Sequence, residues 1–185
     1  MSSINPVYPL PGALRADAAG LGRAFIGSLT LGSGQFCTNP GLVIAEDGAD
    51  LEKFIDAAAQ AVAASTPTTM LTPNIARSFA QGVDEFASSA TVLARGEETD
   101  EPNRCRAALF VTDAESFLGS PTLQQEIFGA SSLVVKCADA EQVRDVTATL
   151  EGQLTATVHA EESDHEAAAK LLAELELKAG RILFN

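Results

Sequence analysis

The hydrophobic positions along the chain follow two spacings, one helical and one typical of buried strands. Apolar residues recur every three or four positions in five segments, which predicts helices at 12–31, 49–65, 73–87, 139–151 and from 163 to about 180. Short apolar runs rich in β-branched residues predict buried strands at 41–45, 91–95, 107–112, 131–137, 154–160 and 181–185. Strands separated by helices predict an α/β fold, a three-layer sandwich with helices on both faces of a mostly parallel sheet.

Residue types at two helix starts add detail to this pattern. Ser120 followed by Pro121 has the form of an N-cap with proline at the first helical position, and predicts a short helix through Gln125. Ser163 and Glu166 have the spacing of a capping box, which predicts that the last helix begins there.

Composition narrows the class of protein. The 185 residues, of which 46% are hydrophobic, are enough for a single domain, 1–185, with a substantial core. No apolar run approaches the ~20 residues that span a membrane, and the N-terminus has no secretory signal. A net charge of −13 disfavours nucleic acid and anionic membranes as partners, because both require a basic surface. We therefore expect a cytoplasmic protein.

The cysteines and histidines do not have the spacing of a metal site. Cys37, Cys105 and Cys137 form no CxxC pair, and His159 and His165 are far from them in sequence. We expect no metal and no disulfide framework. Free thiols are the expected state in a reducing compartment.

One of these cysteines, Cys37, lies in a segment that cannot pack a core, GSGQFCTNPG at residues 32–41. Glycine adopts backbone conformations that other residues avoid, so such a loop can direct several N–H groups at one point. Those donors stabilise a thiolate, and also the oxyanion that forms when sulfur attacks a carbonyl. The segment therefore favours a nucleophilic cysteine, although a loop cysteine without a role is the simpler interpretation of Cys37 taken alone.

The neighbouring residues change that balance. Gly34-Gln35-Phe36-Cys37 resembles the catalytic cysteine motif of the aldehyde dehydrogenase superfamily, in which Gly-Gln-x-Cys follows a long helix and precedes a strand. The longer string GQFCTNPG resembles the branch that oxidises α-ketoglutaric semialdehyde (2,5-dioxopentanoate). The resemblance implies that Cys37 is the nucleophile and that its own N–H forms half of the oxyanion hole. We expect Gly34 and Gln35 to support the loop.

A second motif agrees with the first. QEIFG at 125–129 resembles the family's Glu-Glu-Ile-Phe-Gly-Pro box. The resemblance implies that Glu126 binds the nicotinamide ribose hydroxyls and that Phe128 packs beside the nicotinamide ring. These residue types suit those roles, because a carboxylate accepts two hydrogen bonds and an aromatic edge positions a flat ring. Gln125 and Ala130 depart from the family pattern.

The first residues, MSSINPV, resemble the end of the family segment Glu-Leu-Gly-Gly-Lys-x-Pro, with Met1 at the leucine and Pro6 at the proline. The resemblance implies that the general-base glutamate lies immediately before Met1, and that most of the NAD or NADP site belongs to a separate cofactor-binding domain. The chain is thus expected to be the catalytic domain of a larger enzyme and inactive alone as a dehydrogenase. The implied partners are a small aldehyde, that cofactor-binding domain, and further copies in a homo-oligomer.

Two other functions stay open at this stage. The chain could be a non-catalytic interaction module, or a cysteine-dependent hydrolase that pairs Cys37 with a histidine. We interpret Asn39 as a turn residue and Cys137 as a small apolar core residue. Cys105 lies between Arg104 and Arg106, and we interpret it as a loop thiol near surface arginines.

Overall fold

Strands and helices alternate along residues 3–185, the part of the chain that the computed structural model describes. The strands are β1 (Pro6–Pro9), β2 (Leu42–Glu46), β3 (Thr68–Thr69), β4 (Thr91–Arg95), β5 (Arg104–Cys105), β6 (Ala108–Asp113), β7 (Ser131–Cys137), β8 (Gln153–His159) and β9 (Ala179–Phe184). The helices are α1 (Pro11–Thr30), α2 (Ala49–Ala63), α3 (Pro73–Ala87), α4 (Ala114–Gly119), α5 (Ala140–Thr149) and α6 (His165–Leu175). Short 3₁₀ turns occur at Leu31–Gly34, Pro121–Gln124 and Glu162–Asp164.

Seven of the strands form one sheet in the order β4-β6-β7-β2-β1-β8-β9. Every neighbouring pair in this sheet is parallel except β4 with β6, which is antiparallel at one side. The strands β3 and β5 form a separate antiparallel pair. The prediction of a mostly parallel sheet is therefore confirmed.

The alternation of side chains along β1 identifies the two faces of the sheet. Tyr8 points to α5, where its hydroxyl lies 3.1 Å from the Thr147 hydroxyl. Val7 points the other way and lines a cavity with Phe25 of α1 and Phe54 of α2. Helices thus cover both faces, as the sequence predicts, and the buried residues between the layers form one apolar core.

The predicted strands agree with the structure to within two residues at each end, and the helices predicted at 12–31, 49–65 and 73–87 are observed as α1, α2 and α3. The sequence pattern did not reveal the short strands β1, β3 and β5 or the helix α4. At four, two, two and six residues, these elements are too short to show a period in the hydrophobic pattern.

Of the two predictions at helix starts, the start after Ser120 with Pro121 in the first turn is confirmed in position, and the capping box at Ser163 was wrong. Pro121–Gln124 is a single 3₁₀ turn instead of a helix through Gln125, and no side chain caps it. The capping box near α6 is formed by Glu161 and Asp164 instead of Ser163 and Glu166. Asp164 takes this role because its buried carboxylate also accepts hydrogen bonds from the first turn of α1. The helix α6 ends at Leu175, before the predicted end near residue 180.

Four parallel strands, β1, β2, β7 and β8, begin at one edge of the sheet, which we call the amino edge, and end at the opposite carboxyl edge. The chain segments that precede these strands are therefore neighbours. They include residues 3–5, the loop at 31–41 and the segment 125–130. These segments contain every site residue that the sequence predicts.

Candidate active site

The loop that carries Cys37 begins with a sharp reversal at the end of α1. Gly32, Ser33 and Gly34 all have left-handed backbone conformations, with φ values of 57°, 61° and 66°. This conformation is strained for serine, and the Ser33 hydroxyl is held by hydrogen bonds to the Thr68 hydroxyl at 2.7 Å and the Thr69 carbonyl at 3.0 Å. The reversal turns the chain from α1 towards the amino edge.

Cys37 lies in a tight turn that comes directly after this reversal. The Asn39 N–H donates to the Phe36 carbonyl at 3.0 Å, which closes the turn around the cysteine. Of the three cysteines, all within residues 3–185, only Cys37 is exposed. The turn therefore presents the thiol to solvent at the amino edge, while the Asn39–Phe36 hydrogen bond holds its backbone.

Gln35 fixes the loop from the other side. Its side-chain carbonyl accepts a hydrogen bond from the Leu71 N–H at 2.9 Å, and its amide donates to the Gly32 carbonyl at 3.2 Å. These bonds join the reversal at the end of α1 to the segment between β3 and α3.

The two sequence motifs, which lie about ninety residues apart in the chain, are in direct contact. Gly34 packs against the backbone of Gly129 and Ala130 so closely that a Cβ atom at Gly34 would overlap their atoms. The Asn39 side-chain amide donates to the Gly129 carbonyl at 3.1 Å. The Asn39 Oδ1 atom is buried without a hydrogen-bond partner among the described residues.

Glu126 and Phe128 lie on the segment between the 3₁₀ turn Pro121–Gln124 and β7. The Glu126 carboxylate is partly buried and accepts a hydrogen bond from the Ser3 N–H at 3.3 Å. The Phe128 ring is 39% exposed. Both residues line a narrow cleft together with Gly34 and Asn39.

A larger cleft of about 530 Å³ adjoins Glu126 and runs towards the start of β8. Its walls come from the ends of three segments and are mainly polar: Ser3, Ile4, Pro121, Gln124, Gln125, Glu126, Thr149, Leu150, Glu151 and Gln153. Cys37 is not among the residues that line either cleft. The structure thus brings Gly34, Glu126 and Phe128 together and places Cys37 on the adjoining turn.

Sequence reasoning missed the residue that connects these parts, Asn5. It is 3% exposed, and its side-chain amide donates to the carbonyls of Cys37 and Asn39. A signal existed, because an asparagine directly before a proline and a strand is a common site for backbone hydrogen bonding. The long-range partners of that amide, however, depend on the sheet topology.

The other two cysteines are in the core. Burial raises the pKa of the Cys105 thiol to about 11 and that of the Cys137 thiol to about 12, so both are protonated at neutral pH. The interpretation of Cys105 as a loop thiol near arginines was wrong, because it lies buried on β5 while Arg104 pairs with Glu101 at the surface. Cys137 packs as the small apolar residue that the sequence predicts.

Both histidines lie away from Cys37, towards the carboxyl edge. His159 is the last residue of β8, four residues beyond Thr155, a distance of about 13 Å along the strand. Thr155 is the residue that contacts Asn5 at the amino edge. Burial lowers the pKa of His159, which keeps its imidazole neutral. His165 begins α6. This geometry does not favour a Cys–His pair.

Two further kinds of site are not found within residues 3–185. No group of three or more histidine, cysteine, aspartate or glutamate side chains is arranged to hold a metal ion. No helix in this part of the chain combines the length and the apolar character required to cross a membrane.

Comparisons with known proteins point in one direction. No protein-family model matches the chain. It is 45% identical over 187 residues to α-ketoglutaric semialdehyde dehydrogenase 2 of Azospirillum brasilense, and 36% identical over 188 residues to α-ketoglutaric semialdehyde dehydrogenase of Acinetobacter baylyi. Both matches cover 100% of this chain and 36% of the relative, so the chain spans about a third of the length of these curated relatives.

Solved structures support the same fold at lower identity. An indole-3-acetaldehyde dehydrogenase in complex with NAD⁺ superposes with a TM-score of 0.81 at 16% identity, over 99% of this chain and 38% of that one. The expected match of Met1 to the family segment lies outside the described residues. Over its whole length the chain is thus similar in sequence to α-ketoglutaric semialdehyde dehydrogenases, of which it spans about a third, and similar in fold to solved aldehyde dehydrogenases.

Proposed function

We propose that residues 1–185 are the cysteine-bearing catalytic domain of an NAD(P)-dependent aldehyde dehydrogenase that oxidises a small semialdehyde. The observation that supports this proposal is the contact between the Cys37 loop and the segment 125–130 through Gly34, Asn39 and Gly129. The contact joins the turn that carries an exposed thiol to the segment that carries the Glu126 carboxylate and the partly exposed Phe128. The names of the two relatives favour α-ketoglutaric semialdehyde as the substrate.

In this proposal Cys37 acts as the nucleophile. Its thiolate attacks the aldehyde carbon, a C–S bond forms, and the carbonyl oxygen becomes an oxyanion that the Cys37 N–H stabilises. After oxidation the acyl group is held on the sulfur as a thioester. Water then cleaves the C–S bond, which releases the carboxylic acid and restores the thiol. The base that activates this water is expected to lie outside the chain.

The residues beside Cys37 fit a nicotinamide cofactor by their chemistry. The Glu126 carboxylate borders both clefts and can accept hydrogen bonds from two ribose hydroxyls, and Phe128 exposes a ring against which a flat heterocycle can pack. When bound, NAD or NADP supplies the hydride acceptor for the oxidation. Glu126 and Phe128 orient the cofactor, and most other contacts are expected from a separate domain.

Within residues 3–185, the walls of the two clefts include no lysine or arginine. A carboxylate is recognised most strongly by a cationic partner, above all the fork of an arginine, and the acidic residues Glu126 and Glu151 border the larger cleft instead. We therefore propose that residues outside this chain recognise the substrate carboxylate. Assembly into homo-oligomers stays a prediction.

The experiment follows the acylation of Cys37 in the 185-residue chain by p-nitrophenyl acetate. The thiolate attacks the ester carbonyl, the C–O bond to p-nitrophenolate breaks, and an acetyl thioester remains. We expect a burst of one p-nitrophenolate per chain, its loss in Cys37→Ser, and no steady NAD(P)H production from α-ketoglutaric semialdehyde.

Other outcomes would support other functions. A burst that persists in Cys37→Ser contradicts the role of Cys37, and steady NAD(P)H production by the chain contradicts its dependence on a separate cofactor domain. Continuous ester turnover that disappears when both histidines are replaced favours the hydrolase. The absence of any reaction at Cys37 favours the interaction module.

A further inference from the structure

The side chain of Asn5 is buried and hydrogen-bonded at both ends. Its amide group lies 2.9 Å from the Asn39 carbonyl, 3.0 Å from the Cys37 carbonyl and 3.3 Å from the Ser3 carbonyl. Its carbonyl oxygen accepts from the Ser3 hydroxyl at 2.7 Å and from the Thr155 N–H at 3.1 Å and hydroxyl at 3.2 Å. Asn5 thus uses its full donor and acceptor capacity.

The position of Asn5 is set by the sheet and does not depend on the loop that it contacts. The Gln153 side-chain carbonyl, at the start of β8, accepts from the Ile4 N–H at 2.8 Å and the Asn5 N–H at 3.0 Å. The Leu154 N–H donates to the Ser3 hydroxyl at 2.9 Å. These bonds hold Asn5 in a left-handed conformation with φ of 48°, which asparagine adopts more readily than most other non-glycine residues. A residue fixed this firmly by its own segment and by β8 is suited to impose geometry on its neighbours.

Two of the three carbonyls that the Asn5 amide binds, those of Cys37 and Asn39, belong to the turn around Cys37. These bonds fix the peptide plane between Cys37 and Thr38 and the plane between Asn39 and Pro40, in a turn whose residues 36–38 are otherwise exposed. The Cys37 N–H lies in the preceding plane, whose Phe36 carbonyl accepts from the Asn39 N–H at 3.0 Å, so that plane is tied to the residue that Asn5 holds. Misplacement of a reacting group by about 1 Å can slow a reaction on the order of a hundredfold.

We propose that Asn5 is a positioning residue that holds the Cys37 turn in the orientation required for nucleophilic attack and for oxyanion binding. This inference rests on the proposed function. The segment Ser3–Asn5 also reaches the second half of the site, because the Ser3 N–H donates to Glu126 at 3.3 Å. One short segment before β1 therefore contacts both the Cys37 turn and the Glu126 carboxylate.

The test compares two reactions of Cys37 in the full 185-residue chain. Acylation by p-nitrophenyl acetate needs the Cys37 N–H to stabilise an oxyanion, whereas alkylation by iodoacetamide forms a C–S bond at sp³ carbon and needs only the thiolate. Rate constants are taken from the plateau of each pH profile, where the thiol is ionised in every variant. The ratio of acylation to alkylation therefore reports orientation, independently of the thiol pKa.

Two variants of Asn5 remove the donors in different ways. Asn5→Asp keeps the size and the acceptor atom, but its ionised carboxylate cannot donate to the two carbonyls. Asn5→Ala removes both functions without adding charge. Thr155→Val is the matched control, because it deletes a hydrogen bond to the same side chain on the acceptor side and leaves both donor contacts to the Cys37 turn.

We expect both Asn5 variants to lower the ratio of acylation to alkylation at least about tenfold, and Thr155→Val to leave it unchanged. An unchanged ratio in Asn5→Asp overturns the inference, as does an equal fall in Thr155→Val.

The Cys37→Ser chain separates this inference from the proposed function. A burst that needs Cys37 but not Asn5 overturns only the positioning role. If the wild-type chain gives no burst, or a burst that persists in Cys37→Ser, both the proposed function and the positioning role are overturned. If Asn5→Ala does not fold, the Asn5→Asp and Thr155→Val ratios decide the question.

Discussion

At the amino edge of the sheet, loops meet through backbone groups, whereas at the carboxyl edge helix ends meet through charged side chains. The amino edge has the Gly34–Gly129 contact, the Asn5 amide and an exposed thiol. The carboxyl edge has a cleft of about 270 Å³ between β1, β2, α5 and α6, whose charged residues include Arg144 and Lys170. The two edges belong to the same strands and differ in the loops and helices that adjoin them.

Several of the charged groups at the carboxyl edge have partners within the chain. Aspartates cap the starts of three helices: Asp164 at α1, Asp113 at α4 and Asp139 at α5. Lys170 pairs with Glu166 at 2.7 Å, and Arg144 lies 3.5 Å from Glu174. Helix N-termini at this edge commonly bind anionic ligands, but at α1, α4 and α5 the protein's own carboxylates occupy that position.

This difference shows why the position of a site cannot be taken from the fold class alone. Ligands of open α/β sheets usually bind at the carboxyl ends of the strands. In this chain every predicted site residue lies before a strand, at the amino edge. The reason is local, because the reversal at Gly32–Gly34 and the close backbone contact at Gly129 occur there.

The largest effect is expected from a substitution that disrupts the backbone contact at the amino edge. Gly34→Ala places a Cβ against the backbone of Gly129 and Ala130, at a φ of 66° that alanine tolerates poorly. We expect a loss of about 3 kcal/mol in the free energy of unfolding, from left-handed strain and from overpacking. Acylation of Cys37 should be lost in the molecules that remain folded. Urea unfolding and the p-nitrophenyl acetate burst measure the two effects.

Gly27→Ala is the matched control for this prediction. Gly27 lies exposed in α1, and a Cβ there meets no atom within 4 Å. Alanine is the better helix former, so the variant should gain about 0.5–1 kcal/mol in stability and keep the burst. Equal effects of the two substitutions would contradict a special role for the Gly34 contact.

The next largest effect is expected at the carboxyl edge, from loss of the hydrogen bonds that Asp164 accepts. The buried Asp164 carboxylate accepts from the N–H groups of Gly12 at 2.8 Å, Ala13 at 3.1 Å and Glu161 at 2.9 Å. Asp164→Ala leaves these donors without a partner, and we expect a loss of about 2 kcal/mol in urea unfolding. The Cys37 acylation and alkylation rates of the folded chain should stay unchanged.

The exposed cap of α4 offers a comparison for that variant. Asp113 accepts only from its own helix, from the Ser116 N–H at 2.8 Å, so Asp113→Ala should cost about 1 kcal/mol. A fall in Cys37 reactivity in Asp164→Ala would show that the two edges are coupled, and would contradict their separation.

The contrast between the edges also explains how much could be predicted from the sequence. Long amphipathic helices such as α2 and α3, and apolar strands such as β7, arise from a local period. The site residues Cys37, Glu126 and Phe128 were proposed from motifs, and the structure brings their segments together. The bonds that join the segments were not predicted, because the Asn5 and Gln153 contacts connect residues about 150 positions apart.

The wrong prediction at α6 has the same origin. The pattern at Ser163 and Glu166 has the required spacing, and the pattern at Glu161 and Asp164 has it as well. The choice between them depends on α1, whose first N–H groups need an acceptor and find it in Asp164. Asp164 accepts from the first turn of α1 and from the start of the 3₁₀ turn before α6. Its role therefore depends on tertiary packing, which a local spacing rule does not describe.

The smallest expected effect concerns His159, at the carboxyl end of β8. Burial lowers the pKa of this imidazole, and the cavity that it lines is otherwise formed by neutral side chains, among them Val7, Phe25 and Leu183. Below the usual histidine pKa of ~6.5 the unfolded chain binds a proton that the folded chain does not, so stability falls as the pH falls through this range. His159→Gln removes this contribution and should reduce the loss of urea resistance between about pH 8 and pH 5.5. His165→Gln controls for the removal of a histidine as such. An equal loss of urea resistance in wild type and His159→Gln would contradict the buried neutral state. A smaller loss in His159→Gln, without any change in Cys37 acylation, would show that the acid sensitivity comes from the carboxyl edge and the reactivity from the amino edge.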